Sequence, residues 1–141
     1  AFSEEGAGID GKSFSLLPVE IFYRETGKTK KVTEYPCDGK LLKAAEQVKT
    51  KYHTGRGVIG SGDEWNNQLD RIALLRERYH TAVEDMESAA AAQLCLSYGV
   101  PFLGVRILSN SIVNGEKFDE AVGIDGQKFM LSLVDQMREY M

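Results

Sequence analysis

Thr81-Ala82-Val83-Glu84-Asp85-Met86-Glu87-Ser88-Ala89-Ala90-Ala91-Ala92-Gln93-Leu94-Cys95-Leu96-Ser97-Tyr98-Gly99-Val100-Pro101-Phe102-Leu103-Gly104-Val105-Arg106-Ile107-Leu108 is the stretch whose reading decides the fold. Residues 81–84 have the branched character of a brief strand. Residues 87–98 are rich in alanine, the best helix former, and Gly99 offers left-handed backbone just past the helix end, where Pro101 blocks continuation. Residues 102–108 then run apolar, as a second buried strand would. A helix of about 12 residues set between strands predicts an α/β layer structure.

Working upstream, residues 68–79 repeat Leu69, Ile72, Leu75 and Tyr79 among charged positions, which predicts a surface helix. Residues 56–63 are an apolar run broken by glycines, read as a buried strand whose C-terminal end opens into a ligand-facing loop. Asp38 is a candidate N-cap for an amphipathic helix over 38–52, and residues 14–24 read as a strand around Pro18. Residues 1–12 lack either period and read as a loop. Downstream, Phe129, Leu133 and Met137, with Leu131 and Val134 beside them, place a last helix from near Asp125 to the end. Three or four strands are few for such a layer, which points to a sheet edge supplied from before Ala1.

Composition excludes several classes. At 141 residues and 15.7 kDa, with 43% hydrophobic and 27% charged residues, the chain suits one globular domain and not disorder. A net charge of -4, with no basic block longer than Lys30-Lys31, argues against nucleic-acid binding by phosphate neutralisation. Apolar runs fall well short of the roughly 20 residues that span a bilayer, so no membrane partner is expected. Cys37 and Cys95 lie 58 positions apart and His53 and His80 are isolated, which is neither a disulfide framework nor a zinc spacing. Cys95 reads as a free, buried thiol. Unpaired cysteines fit a reducing cytoplasm, although a start at Ala1 leaves a removed leader open.

Chemistry is expected at three loci, each at the C-terminal end of a predicted strand. In residues 61–67, Trp65 sits beside Asn66 and Asn67 and can stack a planar ligand or plug the loop onto the core. In residues 85–87, carboxylates precede the alanine helix, where they can cap free N–H groups or accept hydrogen bonds from the vicinal hydroxyls of a ribose. In residues 106–114, Arg106 within an apolar run requires a partner, Glu87 or a ligand oxygen, while Ser109-Asn110-Ser111 is turn-prone.

In order and spacing, three blocks together resemble the 5'-methylthioadenosine/S-adenosylhomocysteine nucleosidases of the nucleoside phosphorylase superfamily. They are Gly57-Val58-Ile59-Gly60-Ser61-Gly62-Asp63-Glu64-Trp65, then residues 83–95, then residues 98–110. The resemblance covers residues 30 to 141 well and implies the C-terminal portion, spanning 1–141, of a single domain of that superfamily. The implied architecture is the C-terminal part of a phosphorylase/hydrolase-like three-layer α/β/α domain with a mixed central sheet.

By position, the resemblance implies that Trp65 stacks on a purine, the Asn66 backbone meets the base edge, and Met86 and Glu87 grip the ribose, with Asp85 adjoining them. Arg106 matches an arginine near that ribose, Phe118 an aromatic residue closing over the 5'-substituent, and Ser109 and Asn110 a Ser-Asp pair at the base. Asn110 departs from the family's proton-donating aspartate. An amide can still hydrogen-bond N7, so Asn110 is the expected catalytic position with weakened leaving-group activation, and a 6-oxopurine preference becomes conceivable. The family's water-activating glutamate lies outside this chain, so the chain alone is expected to be inactive and an N-terminal companion segment or chain is expected as partner.

The implied function is N-glycosidic hydrolysis of purine nucleosides such as 5'-methylthioadenosine and S-adenosylhomocysteine, without metal or organic cofactor, in a homodimer. Two alternatives stay open: a purine nucleoside phosphorylase, in which phosphate replaces water, and a non-catalytic storage or nucleoside-binding relative.

Overall fold

A computed structural model describes residues 18–138 in full, and the backbone of residues 2–3 and 15–16. The fold is mixed α/β. Strands β1 (Phe2–Ser3) and β2 (Ser15–Leu16) form a short antiparallel pair. Of the loop expected over residues 1–12, the part at residues 2–3 is therefore strand, and the rest lies outside the described residues. Strands β3 (Val19–Tyr23) and β4 (Lys28–Val32) make an antiparallel hairpin. Its turn needs a residue at φ +64°, which Gly27 supplies. Sequence periodicity misses β4, because Lys28, Lys30 and Lys31 are all exposed and show no apolar face.

Helix α1 (Gly39–Glu46) starts where expected, with Asp38 Oδ1 accepting from the N–H of Lys40 at 2.9 Å and of Leu41 at 3.0 Å. It stops six residues before Tyr52, and Thr50 Oγ1 then takes the Tyr52 N–H at 3.1 Å in a local turn. Strand β5 (Val58–Ser61), helix α2 (Leu69–Tyr79) and strand β6 (Thr81–Asp85) form a βαβ unit with β5 and β6 parallel. Helix α3 (Ser88–Tyr98) follows and is closed by Gly99 at φ +68°. Helix α4 (Ala121–Arg138) begins four residues earlier than the apolar spacing indicates, because Asp119 Oδ1 accepts the Ala121 N–H at 2.9 Å.

Residues 102–108 are not a strand. The Phe102 carbonyl accepts from Asp38 N at 2.7 Å and the Gly104 N–H reaches Cys37 Sγ at 3.5 Å, but no ladder forms along the segment. An apolar run becomes a strand only when its N–H and C=O rows meet a neighbour. For the same reason the described residues hold three two-stranded sheets and not one mixed central sheet.

The buried core is small: Ile21, Ala44, Val48, Leu75, Ala92 and Leu133. Helix α3 docks on β3 through Ser97 Oγ to the Phe22 carbonyl at 2.6 Å, with the Arg24 guanidinium 4.3 Å above the Tyr98 ring. Helices α1 and α4 pack together, tied by Gln136 Nε2 to the Gln47 carbonyl at 3.3 Å. Both cysteines are free thiols, and Cys95 is half-buried where full burial was expected. Among the described residues no helix is long and apolar enough to cross a membrane.

Candidate active site

β5 and β6 end side by side, with Ser61 opposite Asp85, and Gly62 N–H donates to the Asp85 carbonyl at 3.0 Å as both chains leave the sheet. Ligands of α/β proteins collect at such carboxyl ends. Ser61 Oγ reaches over to α3 and accepts the Ala89 N–H at 3.0 Å.

Asp85 is the electrostatic hub. Its side chain is 6% exposed; Oδ1 accepts the Ser88 N–H at 3.3 Å, while Oδ2 faces Ser88 Oγ and Arg106 Nε. Burial pushes its carboxyl up, but the Ser88 hydroxyl, the Ser61 hydroxyl, the Ser88 N–H and the Arg106 charge together outweigh burial and hold it below the usual carboxylate range. The partner that Arg106 requires is thus Asp85 first. Glu87 Oε2 stands 4.0 Å from Arg106 Nη2, and Arg106 Nη1 donates to the Val105 carbonyl at 2.9 Å. Capping of α3 falls to Asp85 and Ser61, not to Glu87.

Glu87 occupies the N-cap position of α3 yet makes no side-chain cap hydrogen bond. Its carboxylate is 73% exposed, and Oε2 accepts only a long bond from Met86 N–H, at 3.3 Å. Met86 beside it is exposed. Across the loop from β5, Trp65 is 65% exposed, so it does not plug the loop onto the core. Its neighbours are fixed: Asn66 Nδ2 donates to Glu84 Oε2 at 2.8 Å, Asn66 Oδ1 accepts the Gln68 N–H at 3.2 Å, and Glu64 pairs with Arg71. Trp65, Asn66, Met86, Glu87 and Arg106 therefore stand around the ends of one strand pair.

Ser109, Asn110 and Phe118 form a second group. Ser109 Oγ donates to Asn110 Oδ1 at 3.0 Å, and the Ser109 carbonyl accepts Asp119 N–H at 3.3 Å. The turn-prone reading of this stretch holds from Ser111 on, where the Ser111 carbonyl accepts the Glu116 N–H at 2.9 Å and Gly115 takes φ +68°. Phe118, 67% exposed, and Ser109 line a mostly apolar groove of about 630 Å³ against α4, with Val105, Ile107, Val122 and Met130. That groove is built like a packing face, and it contains neither Trp65 nor Glu87. Among the described residues no hydrogen bond or ion pair links Ser109, Asn110 or Phe118 to the Trp65 loop or to Glu87, nor does any group of three or more His, Cys, Asp or Glu offer a metal site.

Sequence reasoning placed Ser61 at the edge of the first locus without a role and gave Ser88 none. The available signal was a hydroxyl ending one parallel strand opposite an aspartate ending the next, followed by a serine at the first helical position.

The Phosphorylase superfamily model matches residues 11–137. The chain is 34% identical over 131 residues to the 5'-methylthioadenosine/S-adenosylhomocysteine nucleosidase of Bacillus pumilus (strain SAFR-032), covering 85% of this chain and 56% of that protein. It is 32% identical over 125 residues to the protein of the same name from Aeromonas salmonicida (strain A449), covering 84% of this chain and 54% of the relative. The chain thus spans about half the length of the curated relatives it matches. No solved structure matches it significantly. A match over residues 11–137, which takes in the strand ends that carry Trp65 and Glu87 and the segment that carries Arg106, decides the matter of kinship: the chain belongs to the phosphorylase superfamily.

Proposed function

We propose that the protein carrying this chain hydrolyses the N-glycosidic bond of purine nucleosides of the 5'-methylthioadenosine/S-adenosylhomocysteine type. The observation that carries the reading is the exposed carboxylate of Glu87, held only loosely by Met86 N–H and Arg106, at the ends of two parallel strands. A carboxylate so placed accepts the 2'- and 3'-hydroxyl hydrogens of a ribose. Trp65 stacks on the base, with Asn66 meeting the base edge through its backbone because its side chain is engaged with Glu84. Phe118 closes over the 5'-substituent. Arg106 is held toward the ribose side by Asp85, which supports the site without reaching the substrate.

Bond cleavage leaves an oxocarbenium-like sugar and a purine gathering negative charge at N7. Asn110 cannot donate a proton, but Ser109 Oγ occupies its Oδ1, so its Nδ2 hydrogens are the face left for N7. Water-activating groups would come from the half of the domain that the relatives carry beyond this match. The exposed apolar residues Ile107, Met130, Leu131 and Val134 support a companion segment covering the groove against α4. Two free thiols favour a reducing compartment such as the cytoplasm, and by resemblance the assembly is a homodimer.

The test is release of adenine and hypoxanthine from 5'-methylthioadenosine, adenosine and inosine by the full-length protein, with and without phosphate, beside Asn110→Asp. Phosphate-independent release that rises on restoring the acid, by about 10²-fold or more, is expected. Strict dependence on phosphate, or no release by either protein, would overturn the reading.

A further inference from the structure

Helix α3 presents N–H groups at its start that a side chain must satisfy, and the carboxylate nearest to them in sequence is Glu87. The helix dipole favours a negative group there. Left alone, Glu87 would fold back onto those donors. Two of the three N–H groups ahead of the first intrahelical bond are already taken: the Ser88 N–H by Asp85 Oδ1 at 3.3 Å, and the Ala89 N–H by Ser61 Oγ at 3.0 Å from the neighbouring strand. The first intrahelical bond, Ala91 N–H to the Glu87 carbonyl at 3.3 Å, comes two residues after Ala89.

We infer that Ser61 and Asp85 are positioning residues, a two-strand cap on α3 whose role in the reaction is to keep the Glu87 carboxylate turned outward for the ribose hydroxyls. The inference rests on the reading of Glu87 as the ribose acceptor and adds to it the residues that make that acceptor available. Ser61 is the more informative of the two. Its hydroxyl touches neither Glu87 nor Arg106 in any hydrogen bond among the described residues, so its removal acts on Glu87 through the vacated Ala89 N–H and through Asp85, whose carboxylate the same hydroxyl supports.

Adenosine and 2'-deoxyadenosine report the Glu87 contact directly, since they differ only in one hydroxyl that Glu87 would hold. The ratio of their dissociation constants, measured by calorimetric titration of the full-length protein, does not depend on how much of a variant is folded. Wild type is expected to favour adenosine by about tenfold or more, the worth of a hydrogen bond to a charged group. In Ser61→Ala the carboxylate turns back to the freed N–H, and the ratio falls toward one. Ser61→Thr, which keeps the hydroxyl, restores it. A Ser61→Ala protein that binds both nucleosides more weakly but keeps the wild-type ratio would reduce Ser61 to a structural part and overturn the inference. A wild type with no preference, or no binding of either nucleoside, would remove the Glu87 reading itself and the inference with it.

Discussion

Replacing Asp85 with asparagine tests the hub at the end of β6 with almost no change in volume. The carboxylate is 6% exposed and meets Arg106 Nε, Ser88 Oγ and the Ser88 N–H. Hydrogen bonds to a charged group are each worth about 1.5–3 kcal/mol, and an amide oxygen retains part of the two serine bonds. Breaking a fully buried pair would remove about 3–5 kcal/mol. Arg106 is 34% exposed and regains water, so a loss of about 2–3 kcal/mol at neutral pH is expected, a large share of the 5–15 kcal/mol of a typical domain. The sign with pH follows from the direction of the shift. The folded carboxyl titrates below the roughly 3.9 of a free aspartate, so its contribution is complete above that value and is lost as pH falls through the lower, folded one. Urea unfolding of wild type and variant by far-UV circular dichroism should give a gap that is flat from about pH 8 to pH 5 and closes below about pH 4. A gap under about 0.5 kcal/mol at pH 7, or one unchanged at pH 3, would refute the assignment of Asp85 as an ionised, shielded partner.

Other positions give independent checks. Gly99→Ala forces a side chain into backbone at φ +68° and places its Cβ 2.5 Å from Glu25 Oε1, so a loss of about 1–2 kcal/mol is expected in the same assay. His80 ends α2 at φ +58°, the one non-glycine residue at positive φ among those described, and His80→Gly should gain about 0.5–1 kcal/mol. Asp38→Ala removes two cap hydrogen bonds from α1 and should lower stability by about 1 kcal/mol, read as a drop in urea midpoint. Trp65→Ala should leave that midpoint unchanged, because the ring is already exposed, yet weaken nucleoside binding at least tenfold in titration; equal losses of stability and binding would return Trp65 to a packing role.

Legibility of the fold in the sequence tracked how local the physics was. The start of α1 at Asp38, the end of α3 at Gly99 and the course of α2 rest on caps and periods that a few neighbouring residues set. Residues 102–108 read as a strand because their side chains fit one, but a ladder depends on who lies alongside, which no local pattern records. β4 failed for the opposite reason: it has a partner in β3 but almost no buried face. At the site, Trp65, Glu87 and Arg106 were visible as residue types out of place in their surroundings. The pairing of Arg106 with Asp85 ahead of Glu87 was not, since the two carboxylates sit two positions apart and only the first lies within β6, on its buried face.

That register has a functional consequence. Alternation along β6 sends successive side chains to opposite faces, and half-buried Thr81, Val83 and Asp85 share one face while exposed Ala82 and Glu84 share the other. Asp85 therefore arrives on the buried side, where Ser61 and Ser88 can satisfy it, and the chain then turns into α3 so that Glu87 emerges unburdened at the helix start. One carboxylate is spent on structure and the next is kept for a ligand. A single-residue deletion before Glu84 would exchange the environments of Glu84 and Asp85, leaving Arg106 without its nearer partner and Glu84 on the buried face, and should abolish ribose recognition even in protein that still folds.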